Sequence, residues 1–201
     1  MSVTAISDRR LQRGARSRQA ITRRAVDIAS LDGLDGVSFG RLADDLDISK
    51  AGIQTLFRTK EQLQLATVET ARLVFLDEVV APARDLPSGL VRLRALLENW
   101  IAYVERPVFP GGCFWTATMA EFDSHPGPVR DALARQRADW QALLLRHLHS
   151  AIAAGELGNI DAELAVFQID SMLNNTNIAL RLGNHDSVRL LRRGIDNLLG
   201  S

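Results

Sequence analysis

The chain has 201 residues, 46% hydrophobic and 24% charged, enough apolar mass for a substantial core beneath a polar surface. Its formal net charge of zero argues against a generally basic coat for nucleic acid. A single cysteine excludes an intramolecular disulfide and a multi-cysteine metal site.

The charge is unevenly placed. Between Met1 and Arg24, seven arginines stand against one acid, Asp8. No run of 18 uninterrupted apolar residues occurs, and the first thirty residues lack an apolar stretch of signal-peptide length. The expectation is a reduced, cytoplasmic protein with a disordered basic tail over residues 1–15.

In chain order the patterns are helical. Ile21, Ala25, Ile28 and Ala29 recur at helical spacing until GLDG (33–36) stops the run. Ser38 stands where an N-cap belongs, ahead of FGRLADDL. A three-residue break, DIS (47–49), precedes KAGIQTLF, which Ser49 can cap. Thr59 and Gln62 have capping-box spacing at the head of a long helix expected to run to about Val80, where Ala81-Pro82 weakens it. Further helices are predicted from Pro87-Ser88 through Ile101, over CFWTATMAEF, from Pro128 to about AAGELGN, from Asp161 to Leu182, and from Val188 to Leu198. No stretch alternates with period two, so the predicted class is all-α, with three short helices followed by about six longer ones. The pattern divides into 16–62 and 63–201.

Two short helices joined by about three residues have helix-turn-helix geometry. Ile48 is placed to plug the gap between them. Ile53 and Phe57 share an inward face, flanked by Leu56, which leaves Lys50, Ala51, Gly52, Gln54 and Thr55 outward. A helix that enters a major groove brings its backbone close to phosphates and base edges, so small residues in its first turn help it. Glycine there costs on the order of 0.5–1 kcal/mol relative to alanine. The same stretch also reads as an ordinary capped helix start. The neighbouring arginines, Arg16, Arg18, Arg23 and Arg24, favour the groove reading because they can reach phosphates.

Residues 18–63 resemble the amino-terminal DNA-binding domain of TetR-type transcriptional regulators. Phe57, Lys60, Glu61 and Leu63 match the family's aromatic–KE–L ending, and Ser38, Leu42, Ala43, Ser49 and Lys50 fall at its expected positions. Three positions depart from the pattern: Asp47 replaces the usual turn glycine, Gln54 a phosphate-contacting tyrosine, and Leu56 an aromatic. The resemblance implies an N-terminal three-helix DNA-binding domain joined to a larger C-terminal helical domain for ligand binding and dimerisation. It implies a homodimeric repressor on a palindromic double-stranded DNA operator, released by a small, largely apolar effector, with no cofactor. The DNA-contacting set it suggests is Arg18, Ser38, Arg41, Ser49, Lys50, Ala51, Gly52, Gln54, Thr55 and Lys60.

Aromatic residues concentrate in the middle of the chain. Trp100, Tyr103, Phe114, Trp115, Met119, Phe122 and Trp140 are either core or the lining of an effector cavity, with Cys113, Asn174 and His125 as polar handles. After its Gly-Gly hinge, Cys113 is also a conceivable redox sensor. His147 and His149 point apart on a helix and do not pair as metal ligands.

The helix 161–182 carries two apolar lines, one through Leu164, Phe167, Ile178 and Leu182, the other through Ala165, Ile169, Met172, Leu173, Thr176 and Leu180. A surface helix needs only one. The predicted homodimer interface takes Ile169, Met172, Leu173, Thr176 and Leu180 together with Val188, Leu191 and Ile195 of the last helix. The alternative is a helix fully buried in its own chain. Other function classes lack support: no HExxH, GxSxG, P-loop or dinucleotide glycine pattern is present, so no enzyme is expected. A helical protein-docking module would leave the arginine cluster without a purpose.

Overall fold

The computed structural model describes residues 3–106 and 108–200, with side chains described from Gly14 onward. It contains nine α-helices and no strand among the described residues. They are α1 (Val3–Asp32), α2 (Phe39–Leu46), α3 (Lys50–Phe57), α4 (Lys60–Phe75), α5 (Leu90–Glu105), α6 (Phe114–Phe122), α7 (Pro128–Ala153), α8 (Ala162–Arg181) and α9 (Ser187–Leu199). Helix α1 opens at Val3 and is 30 residues long, so the first helix is not short. The side chains of residues 1–13, most of the expected basic tail, lie outside the described residues. No described helix is long and apolar enough to cross a membrane.

The starts of four helices follow directly from the sequence. The side chains of Ser38, Ser49, Thr59 and Asp161 each accept the backbone N–H three residues on, closing the first turns of α2, α3, α4 and α8. Each such cap contributes about 1 kcal/mol. Helix α2 ends with Asp47 at φ 51° and ψ 48°, the left-handed conformation for which glycine is the easier residue. Regular α4 stops at Phe75, earlier than expected, and a wide π turn (Leu76–Val80) leads into a 3-10 turn at Ala81–Ala83. Pro82 has no N–H to donate to Glu78 and its ring would crowd that carbonyl, so the α-helical ladder cannot pass it.

Ile48 does not plug the helix-turn-helix; it is 42% exposed. Leu42, Ala43, Ile53 and Phe57 fill that space, and the short turn carries Ile48 past them to the surface. Most of the buried apolar side chains form one cluster running from Ile21 on α1 to Leu199 on α9. Helix α1 packs against α4 and α6, which joins the two halves of the chain.

The tightest joint lies where the connector before α6 crosses α1. A Cβ on Gly111 would sit 1.8 Å from the carbonyl oxygen of Ser30, and the Gly111 N–H donates to Ser30 Oγ at 3.0 Å. The obstacle is main chain, which cannot swing aside. Gly111→Ala should therefore cost at least about 2 kcal/mol in urea unfolding. Gly158→Ala, in open space, should stay within about 0.5 kcal/mol of the parent protein.

Candidate nucleic-acid interface and ligand cavity

On α3 the helical period separates two faces. Ile53 and Phe57 are fully buried, while Lys50, Ala51, Gly52, Gln54 and Thr55 are exposed side by side. Ser49 accepts the Gly52 N–H at 3.1 Å, and the Thr55 hydroxyl donates back to the Ala51 carbonyl at 2.9 Å. The amide of Gln54 and the ammonium of Lys50 thus stand over a smooth surface at the positive end of a helix dipole.

Several basic side chains expected at DNA are engaged within the protein. Arg18 donates to the Leu56 carbonyl at 3.0 Å and lies over the Phe57 ring at 4.4 Å, so it secures the C-terminal end of α3. Arg23 bonds Asp27 and the Val108 carbonyl, and Arg24 pairs with Asp45. Arg41 pairs with Asp32 at 2.6 Å, while Ser38 accepts the Arg41 N–H. Lys60 Nζ reaches the Asp35 carbonyl oxygen and carboxylate at 3.0 and 3.1 Å, both on the exposed surface.

The loop between α1 and α2 is gripped from the other half of the chain. Glu121 on α6 accepts the backbone N–H groups of Leu34 and Asp35 at 2.7 and 2.6 Å. Gly33 sits at φ +74°, a conformation that favours glycine, and a Cβ there would lie 2.5 Å from Glu121 Oε2, so a larger residue would also push that carboxylate aside. From α4, Gln64 donates to the Leu34 carbonyl at 3.2 Å in the interior.

Helix α6 also walls a cavity of about 120 Å³. Its apolar lining includes Phe75, Leu76, Val80, Trp100, Trp115, Met119, Trp140, Leu143 and Leu173. Phe75 meets Trp115 and Trp140 edge-on at centroid distances of 5.1 and 5.2 Å, contacts worth about 0.5–1.5 kcal/mol each beyond their burial. Arg72, Cys113, Gln136, Arg137, Asp139, Asp170 and Asn174 complete the wall. Trp115 Nε1 donates to Gln136 Oε1 at 3.2 Å, and Asn174 accepts Thr116 Oγ1 while donating to the Asp170 carbonyl.

A family model described as the C-terminal domain of tetracyclin repressor-like proteins matches residues 89–195. The chain belongs to the TetR family of transcriptional regulators. Among solved structures, a TetR transcriptional regulator from Chloroflexus aurantiacus J-10-FL aligns with a TM-score of 0.82 at 21% identity, covering 94% of each chain. AibR in complex with isovaleryl coenzyme A and operator DNA aligns at 0.72 and 19% identity over 90% of this chain and 97% of that one. A transcriptional regulator from Saccharomonospora viridis in complex with choline aligns at 0.74 and 16%, over 91% and 95%. At these identities the likeness shows the fold. No curated protein matches in sequence.

Of the residues predicted to line a ligand site in this TetR-family chain, Trp100, Cys113, Trp115, Met119, Trp140 and Asn174 meet at the cavity, and Tyr103, Phe114 and Phe122 do not. Tyr103 is buried between Phe75 and Phe109, with its hydroxyl unpartnered and its phenol pushed well above the usual range by burial. Phe114 is fully buried behind Trp115, and Phe122 lies at the far end of α6 beside the exposed His125. Phe75, Arg137 and Asp170 were missed. A signal existed for Asp170: Asp170, Asn174, Asn177 and Arg181 recur at helical spacing along one side of α8. Asn177 and Arg181 brace the segment before α6, Asn177 accepting the Cys113 N–H at 2.9 Å and Arg181 donating to the Val104 and Pro110 carbonyls.

The predicted dimer set also needs correction. Ile169, Leu173, Thr176, Leu180, Val188, Leu191 and Ile195 are buried within their own chain, and Met172 packs against Gly194. This is the line along which α8 meets α9 and the cavity. Outward-facing apolar residues are Leu164, Phe167 and Ile178 on α8, Leu182 just past its end, and Leu190 on α9.

Cys113 is buried, and that burial pushes its thiol up, against the needs of a redox sensor. A thiol reagent at pH 7.5 should modify Cys113 only slowly in the folded protein and rapidly in denaturant, as read by absorbance of the released chromophore.

Proposed function

We propose that this TetR-family chain works in the cytoplasm as a homodimeric repressor of a palindromic operator and leaves DNA when a small, largely apolar effector enters the cavity. The observation that carries this reading is the exposed α3 face of Lys50, Ala51, Gly52, Gln54 and Thr55, small at the first turn and basic and amide-bearing around it. Gln54 and Thr55 are placed to read base edges, Lys50 and Lys60 to meet phosphates. Lys60 exchanges Asp35 for phosphate on binding, a small cost because both groups are already in water.

Homodimerisation is supported by the stripe of Leu164, Phe167, Ile178, Leu182 and Leu190. Phe167 is 66% and Leu182 82% exposed, an apolar surface that a matching copy would cover. A two-fold pair brings two α3 helices to one side, and palindromic half-sites follow from that symmetry. Release is supported by α6, whose Trp115 and Met119 touch the cavity while Glu121 holds the α1–α2 loop. A ligand that fits one position of α6 better than another thereby biases the orientation of the DNA-binding half. The polar groups of the wall are largely paired with one another, which favours binding over turnover.

Duplex binding to the region upstream of the protein's own gene should weaken steeply as salt rises. Lys60→Ala should weaken all duplexes alike, whereas Gln54→Ala should cost about 1–3 kcal/mol and relax sequence preference, as read by fluorescence anisotropy. Absence of salt-dependent binding to any duplex ends the regulator reading. Phe167→Asp should shift the sedimentation coefficient to that of a monomer without lowering helical content, and an unchanged dimer would remove α8 from the interface.

A further inference from the structure

The side chain of Asp170 is among the most buried charged groups in the described chain, and the residue is 5% exposed. Its donors are unevenly shared. Arg137 at 2.7 and 3.1 Å and Gln141 at 3.0 Å all converge on Oδ2, and no described protein donor reaches Oδ1. Arg137 is itself nearly half exposed, so its charge is partly spent on water. Oδ1 is not among the fully buried atoms, so it keeps an open side while the rest of the carboxylate is enclosed, and this residue lies on the cavity wall.

The surrounding charges point the same way. Arg72 and Arg137 line the cavity together with Asp139 and Asp170, and Arg72 is already held by Glu69 through Nε and Nη2. The lining thus carries two guanidinium groups and two carboxylates, but both guanidinium groups are already engaged, Arg72 by Glu69 and Arg137 by Asp170 Oδ2, whereas Asp170 Oδ1 has no described donor. The remaining wall is aromatic, with Phe75 and all three tryptophans of the chain. Aromatic faces attract cations, more strongly once water is excluded. A cavity of about 120 Å³ is somewhat smaller than the about 150 Å³ hole that takes a benzene ring in an engineered protein core, so the buried part of a ligand is one ring or a short branched chain.

We propose that the cavity selects a small organic cation, an amine or ammonium group on a single ring or short branched hydrocarbon, with the cationic nitrogen placed against Asp170 Oδ1 and the hydrocarbon among Phe75, Trp115 and Trp140. This inference rests on the cavity being the effector site of the proposed regulator. It adds the sign of the ligand's charge and the residue that reads it. Asp170 is the specificity-determining group, and Arg137 competes with the ligand for its charge.

Three isosteric probes test it: benzylammonium, benzyl alcohol and benzoate, titrated into the full-length protein while tryptophan emission is followed. Because every tryptophan lines the cavity, occupancy changes the emission directly. Benzylammonium should saturate the signal at a concentration at least about tenfold below either of the others. Asp170→Asn should bring it to the level of benzyl alcohol. Arg137→Gln supplies a second test if the Asp170 variant does not fold: it should tighten benzylammonium and leave benzyl alcohol unchanged. Benzoate binding as well as the amine, an amine preference that survives Asp170→Asn, or no saturable response to any probe would each overturn the proposal. Failure of the parent protein to bind any duplex would strike the regulator reading alone, since the titration contains no DNA.

Discussion

The structure depends on a contact of main chain against main chain. Where Gly111 crosses α1 at Ser30 there is no room for even a methyl group, so the connector before α6 is set against the first helix by backbone alone. Core side chains exchange rotamers, but a main-chain contact has no such freedom. With that joint fixed, Phe109 and Phe114 fall into the interior on either side of it, and the core continues from the helix-turn-helix to the last helix. The two halves are therefore not mechanically independent.

Helix α6 is the short element through which this continuity acts. Its first turn is pinned by Asn177 of α8 through the Cys113 N–H, its middle touches the cavity, and its last turn holds the α1–α2 loop through Glu121. At nine residues it is too short to be stable alone, so its position is set by these partners.

What was legible in the sequence was chiefly local. The capping residues Ser38, Ser49, Thr59 and Asp161 announce their helices because a cap involves only the next three residues. The sorting of α3 into Ile53 and Phe57 inward and Lys50, Ala51, Gly52, Gln54 and Thr55 outward follows from period alone. The failures share a different character. Helix α8 carries two apolar lines of similar quality, and which of them meets α9 depends on packing that no single helix encodes; the line through Ile169 and Leu173 turns inward, leaving Phe167 outside. Tyr103 and Phe114 have the residue types of a cavity lining but lie one layer behind it. Phe75, the ring on which two tryptophans converge, was hidden inside a long regular pattern. Ile48 failed for a related reason, because being apolar does not decide the direction in which a three-residue turn points it.

The clasp at Glu121 has an evolutionary corollary. Its two partners are peptide amides, which every residue but proline supplies, so the side chains at Leu34 and Asp35 can change without breaking it. The clasp itself requires only the carboxylate of Glu121 and the positive-φ backbone that Gly33 adopts. Under the proposed function, target preference resides in the side chains of a different helix, α3, so substitutions there would leave this contact between the two halves unchanged.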